Sequence, residues 1–317
     1  MDLLAPSAST APAWSPRLPG WALPRGRDTN ETDAAFVAGI ALKSLDDLIR
    51  AEPPWIGCWR DRLALKSAAI AARMLGRGEV EHALRDAVLL TEPGDDPGPA
   101  GKLFLAARML TRRSSPIGSP FIKELAARLG LRWDNCLASV PDLVDTAVQS
   151  GRAAPFVAAD LIAAICVTRP DAEVLALGVA DVVLAEMLKW PRPVPLLLPE
   201  RYGPAFRTVG GRGRVRPGEP AFARAISLAL ADGVDTALRS ATEIDRRAGR
   251  LLAVAPKLRT KGAEPVIREL LNEDAILASA PGSKLSRWAA TRLFDRLESL
   301  EAVREFSGRS SFRTYGL

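Results

Sequence analysis

The feature that most constrains this chain is the spacing of its prolines and glycines, which cut the sequence between about 31 and 255 into runs of helical length. From Asp33 onward the apolar residues recur at helical spacing: Phe36, Ile40, Leu45 and Leu48 mark a first segment, closed by Pro53 and Pro54. A second helix is predicted from about Trp55 to Leu75, with Trp59, Leu63, Ile70 and Met74 turned inward and Gly76 as its stop. A third is predicted over 79–90, ended by the turn-rich run 92–99, and a fourth runs to about Arg112. Ser119 reads as a cap with Pro120 at the first helical position and Gly130 as the stop. Pro141, Pro155 and Pro170 open further helices by the same logic, and Trp190 to Pro193 ends the last of them. The proline- and glycine-rich stretch 190–221 reads as a surface loop or interdomain connection. A long helical pattern over 220–254 follows, broken by Pro256. These readings predict a mainly α protein: an extended or disordered lead-in over 1–30, in which Trp14 and Trp21 could still dock, and a multi-helix bundle body over 31–255.

Composition narrows the functional classes. Hydrophobic residues at 48% and charged residues at 25% match soluble globular chains, which excludes wholesale disorder and a membrane protein. The net charge of +6 is too mild to establish a nucleic-acid partner. Of the 43 cations, 35 are arginine, the better side chain for phosphate and base-edge forks, although a GC-rich genome gives the same bias. Cys58, Cys136 and Cys166 are too scattered for a disulfide framework or a zinc site and read as buried helix residues in a reducing cytoplasm. The first residues lack the cationic start and unbroken apolar core of a signal peptide, and Asp160, Asp181 and Glu186 interrupt the most apolar stretches. No membrane-crossing segment is expected.

No catalytic constellation is recognisable, so neither an enzyme nor a bound cofactor or metal is expected. His82 is the single histidine, and every nucleophile that relies on histidine would have to use it. Asp95 and Asp96 read as a solvated turn rather than as oxygen ligands for a metal. The Gly210 to Gly213 run lacks the spacing, preceding strand and lysine of a phosphate-cradling loop.

The final segment, 256–317, carries the functional expectation. A helix is predicted over 264–271, a short second helix over 273–279, a turn at Pro281 to Lys284, and a third helix from the Ser286 cap to about Leu300. On the third helix Ala289, Leu293, Leu297 and Leu300 form one stripe, while Arg287, Trp288, Thr291 and Asp295 point away with Arg292 at the flank. The runs on either side of Ser307-Gly308-Arg309 read as a hairpin whose register stays open. Three helices and a hairpin make the order of a winged helix. Double-stranded DNA is then the expected partner, with Arg287, Thr291 and Arg292 at base edges or nearby phosphates and Arg304, Arg309 and Arg313 on the backbone. Charge agrees: six cations and no anions lie over 246–261, and seven cations against four anions over 284–317. The expected function is sequence-dependent DNA binding in a regulatory role, with the helical body mediating homo-oligomer formation or partner contacts. The competing reading is a protein-interaction scaffold whose winged module docks a protein partner, without DNA binding or catalysis.

Several stretches carry a resemblance. WRDRLALKSAAIAAR from Trp59, LRDAVLLTEPGDDPGPAG from Leu84, WPRPVPLLLPE from Trp190, LLAVAPKLRTKGAEPVI from Leu251 and the closing SGRSSFRTYGL resemble a bacterial family, mainly alpha-proteobacterial, known as domain of unknown function 1403. That resemblance runs nearly end to end and implies no activity. Separately, LSRWAATRLFDRLESLEAVREFSGR is similar to the carboxy-terminal winged helix of many bacterial regulators, except that Glu301 stands where the helix-to-wing junction usually has glycine.

Overall fold

A computed structural model describes residues 18–22, 29–92, 94–114, 116–208, 213–258, 262–279, 285–309 and 312–317. Trp14 and most of the 1–30 lead-in lie outside them, as do 210–212, Arg259, Lys261, the 281–284 turn and two residues of the expected wing, 310 and 311. The molecule is mainly helical, and it divides into two compact units. The larger takes in 18–52 and 60–237, and the smaller 53–59 and 238–317.

In the larger unit, α1 (Glu31–Ala51) starts where the Asn30 side chain accepts from the backbone N–H of Asp33 at 2.8 Å. Its buried stripe is Ala34, Ala38, Ala41, Leu42, Leu45, Leu48 and Ile49. Phe36, expected to belong to the apolar face, is 66% exposed, because the small alanines set the packed face and leave the ring outside it. Helix α2 (Ile56–Met74) buries Leu63, Ala64, Leu65, Ala68, Ala71 and Ala72, while Ile70 and Met74 stay half-buried. Gly76 closes it at a φ of 72°, a left-handed value glycine takes without penalty. Then come α3 (Glu81–Leu89), α4 (Gly98–Thr111) and α5 (Ser119–Arg128). The cap of α5 is Gly118 rather than Ser119, which is already helical and makes no capping bond.

Helices α6 (Asn135–Ala138), α7 (Val140–Gln149), α8 (Ala154–Thr168) and α9 (Glu173–Met187) follow. Helix α9 is apolar all round and buried without interruption from Val174 to Ala185, packed against α4, α7 and α8. Proline and glycine composition pointed to a surface loop after it. The stretch instead places Val194, Leu196, Leu197, Phe206 and Val215 at or near zero exposure, within the larger unit. Asp181 of α9 anchors it by accepting from the N–H groups of Leu196 and Leu197 at 3.1 and 3.2 Å. Gly233, on α10 (Phe222–Val254), leaves room for the passing strand of chain: a Cβ there would lie 2.5 Å from the Leu196 carbonyl oxygen.

The smaller unit contains the part of α10 from Leu238 onward, which buries Ala241, Ile244, Ala248 and Leu251. Trp55 donates its Nε1–H to Asp245 at 2.8 Å, and Gly57 sits against Asn272, where a Cβ would clash at 2.7 Å. Helix α11 (Ala263–Asn272) leads into β1 (Ile276–Leu277), so the short second helix expected over 273–279 does not form. The backbone there is committed to a sheet partner far along the chain. After α12 (Arg287–Ser299) come β2 (Arg304–Glu305) and β3 (Thr314–Gly316), giving an antiparallel sheet of order β1-β3-β2. Its register, open in the sequence, pairs Ile276 with Tyr315, Leu277 with Thr314, Arg304 with Gly316 and Glu305 with Tyr315. Phe294 of α12 stacks on Tyr315 at 4.6 Å between ring centroids, which seats the helix on the sheet.

Candidate nucleic-acid interface

Helix α12 begins at Ser286, whose Oγ accepts from the N–H of Ala289 at 3.3 Å. Ala290, Leu293, Phe294 and Leu297 are buried beneath it. Arg287, Trp288, Thr291, Arg292, Asp295 and Arg296 are exposed, Trp288 at 80%. The expected reader residues therefore share one outward face. Thr291 donates its hydroxyl to the Arg287 carbonyl at 3.0 Å, which fixes the rotamer and leaves its oxygen able to accept from outside. Among the described residues no ion pair engages the guanidinium of Arg287 or Arg292. Arg296 was not singled out in the sequence, although its position four residues beyond Arg292 places it on the same side. Helical spacing places Trp288 outward as well, without indicating a role for it.

The expected backbone clamps separate. Arg309 is exposed near the tip of the hairpin. Arg304 is exposed, with its guanidinium 4.6 Å from the Phe306 ring centroid and 3.8 Å from Glu243. Arg313 lies between α12 and the hairpin, its Nε donating to Glu305 at 2.8 Å, Nη1 to Asp295 at 3.1 Å and Nη2 to Glu298 at 3.3 Å. Three carboxylates thus surround one guanidinium, which holds the hairpin on the helix. Hydrogen bonding to Glu305 raises the Arg313 pKa. Burial pushes the Glu305 carboxyl up, but its bonds from Arg313 and Ser307 outweigh that and leave it below its ordinary value. Burial likewise pushes the Tyr315 phenol up to about 12. The helix-to-hairpin junction is Glu301 at a φ of 53°, a left-handed conformation that glycine takes at less cost.

Other candidates from the sequence lie elsewhere. His82 is exposed on α3. Asp96 accepts from the Gly98 N–H at 2.8 Å and from Lys102 at 2.6 Å, the role of a capped turn. Cys58 and Cys166 are buried and Cys136 half-buried, all three unbridged, and burial pushes the Cys166 thiol up to about 12. Among the described residues no three His, Cys, Asp or Glu side chains gather as a metal site, and no helix is long and apolar enough to cross a membrane. A cavity of about 30 Å³ in the larger unit is lined mainly by alanine, leucine and proline, with Ser67, Thr111 and Asp181 as its polar members.

Fold and site together define a mainly helical protein of two units, with an exposed basic helix seated on a small antiparallel sheet. The chain belongs to the family described as "Protein of unknown function (DUF1403)", whose model matches residues 6–317. No curated protein matches it.

Proposed function

We propose that the chain binds double-stranded DNA through the outward face of α12, in a regulatory role. The observation that carries this reading is the grouping of Arg287, Thr291 and Arg292 on one exposed face, with neither guanidinium group paired to a carboxylate among the described residues. Major-groove readers present such a face from a helix held rigidly on its support. The run of helix, strand, helix and two strands, with sheet order β1-β3-β2, supports a reduced winged helix in which α12 is the reader. Arg304 and Arg309 then contact backbone phosphates, while Arg313 positions the hairpin instead of touching DNA. We place this activity in the cytoplasm and leave the helical body for self-association or partner contacts.

The second reading, a protein-docking surface, is favoured by Trp288, since large exposed aromatics are characteristic of protein interfaces. One comparison separates the two. A preferred duplex is selected from random sequence with the full-length protein, and binding of the preferred and a random duplex is measured for wild type and Arg287→Ala. Loss of about 1 to 3 kcal/mol on the preferred duplex and little on the random one is the expected result, the scale of one good base contact. A folded Arg287→Ala protein that keeps the wild-type ratio shows that α12 is not the reader.

A further inference from the structure

In the larger unit, Arg60 on α2 is only 8% exposed, and its Nε and Nη2 are buried without a hydrogen-bond partner among the described residues. These two atoms form the side-on edge of the guanidinium, the edge whose parallel N–H bonds match two oxygens of one carboxylate or phosphate. The same unit shows what that edge does when filled. Arg169 places Nε and Nη2 on the two oxygens of Asp171 at 2.9 and 2.8 Å, and Arg108 grips Asp61 in the same way. Arg60 has the geometry without the oxygens.

Its surroundings make the omission costly. Burial is the main force against its charge, the neighbouring Arg192 adds to it, and Glu52 is the carboxylate that opposes them. The guanidinium is pushed down to about 10, which still leaves it charged at neutral pH. Arg192 stands exposed just beyond α9, with Nη1 fixed on the Arg112 carbonyl at 3.0 Å. A buried cation beside a second cation is costly, and Glu52 offsets that cost only in part.

We propose that Arg60 and Arg192 form a binding site for a small oxyanion, gripped side-on by the Nε and Nη2 edge of Arg60 and neutralised from the solvent side by Arg192. The ligand class is an anion offering two oxygens on one edge, the chemistry shared by carboxylates and phosphates. The depth of Arg60 favours a free small anion over the backbone of a macromolecule. This site is independent of the α12 reading.

The test is thermal unfolding of the full-length protein in inorganic phosphate and, separately, acetate, each against chloride at matched ionic strength. At least one oxyanion should raise Tm in a concentration-dependent way, as mass action on a native-state site requires, and the arm that responds identifies the ligand type. Arg192→Gln, an exposed change whose folding is checked by its Tm in chloride, should weaken that binding about tenfold, the scale of losing one charged partner. Arg60→Lys keeps a charge but not the fork and should abolish the response. The proposal is overturned if neither oxyanion exceeds chloride, or if Arg192→Gln responds as wild type does.

Discussion

Asp181 shows how one residue ties a proline-rich stretch into a core. It is 4% exposed in an otherwise apolar helix, and burial drives its pKa well above the ordinary 3.8 even though the Leu196 and Leu197 N–H groups pull the other way. The sign follows from linkage. An acid with a raised folded-state pKa contributes stability that is complete below its unfolded value and is lost as pH rises toward the folded one. Asp181→Asn keeps an oxygen for the two N–H groups and drops the titration. Its stability relative to wild type should therefore grow with pH above about 4, by about 1.4 kcal/mol per unit while the buried acid stays neutral in the folded protein. Urea unfolding of both proteins from pH 4.5 to 8 reads this directly, and a difference that does not change with pH refutes it. In the sequence Asp181 stood only as a charge that interrupts an apolar run; nothing there showed that two N–H groups, more than a dozen residues on, would make its burial tolerable.

At the scale of elements, the small sheet and α12 depend on Arg313. Removing it leaves Asp295, Glu298 and Glu305 facing one another, and Arg313→Ala should destabilise the protein by about 1.5 to 3 kcal/mol near neutral pH, the range for hydrogen bonds to charged groups. Because the Glu305 pKa is depressed, its contribution is present above the ordinary 4.5 and disappears as pH falls through the folded value. The gap between wild type and Arg313→Ala should accordingly shrink on acidification, which chemical unfolding at pH 7 and pH 4 measures; a gap that widens contradicts this role. The legibility of the elements follows the same physics. Helices such as α1, α2 and α10 were readable because their periodicity and their proline or glycine boundaries are local. Strand β1 was not, since two residues have no periodicity and their partner lies at the far end of the chain. The stretch after α9 misled because prolines that usually mark surface here flank residues buried in the core. The outward face of α12 was legible from helical spacing alone, whereas the commitment of Arg313 depends on carboxylates from three separate positions brought together only by the fold.

For the whole molecule, the central claim is that the exposed basic face of α12 meets DNA phosphates and bases. Two units with different demands share one chain: the larger buries an apolar helix and Arg60, and the smaller presents Arg287 and Arg292 on the outward face of α12. Attraction to phosphates releases counterions, so the affinity must fall steeply with salt, each lost phosphate contact reducing the log–log slope by roughly one. The most direct measurement is the affinity of the full-length protein for duplex DNA at several salt concentrations between about 50 and 200 mM, a range over which a protein with several phosphate contacts loses orders of magnitude. The account predicts such a loss for wild type and a shallower slope for Arg309→Ala with folding unchanged. Folded protein that binds no duplex even at the lowest salt contradicts it and leaves protein docking at the face around Trp288 as the reading to test.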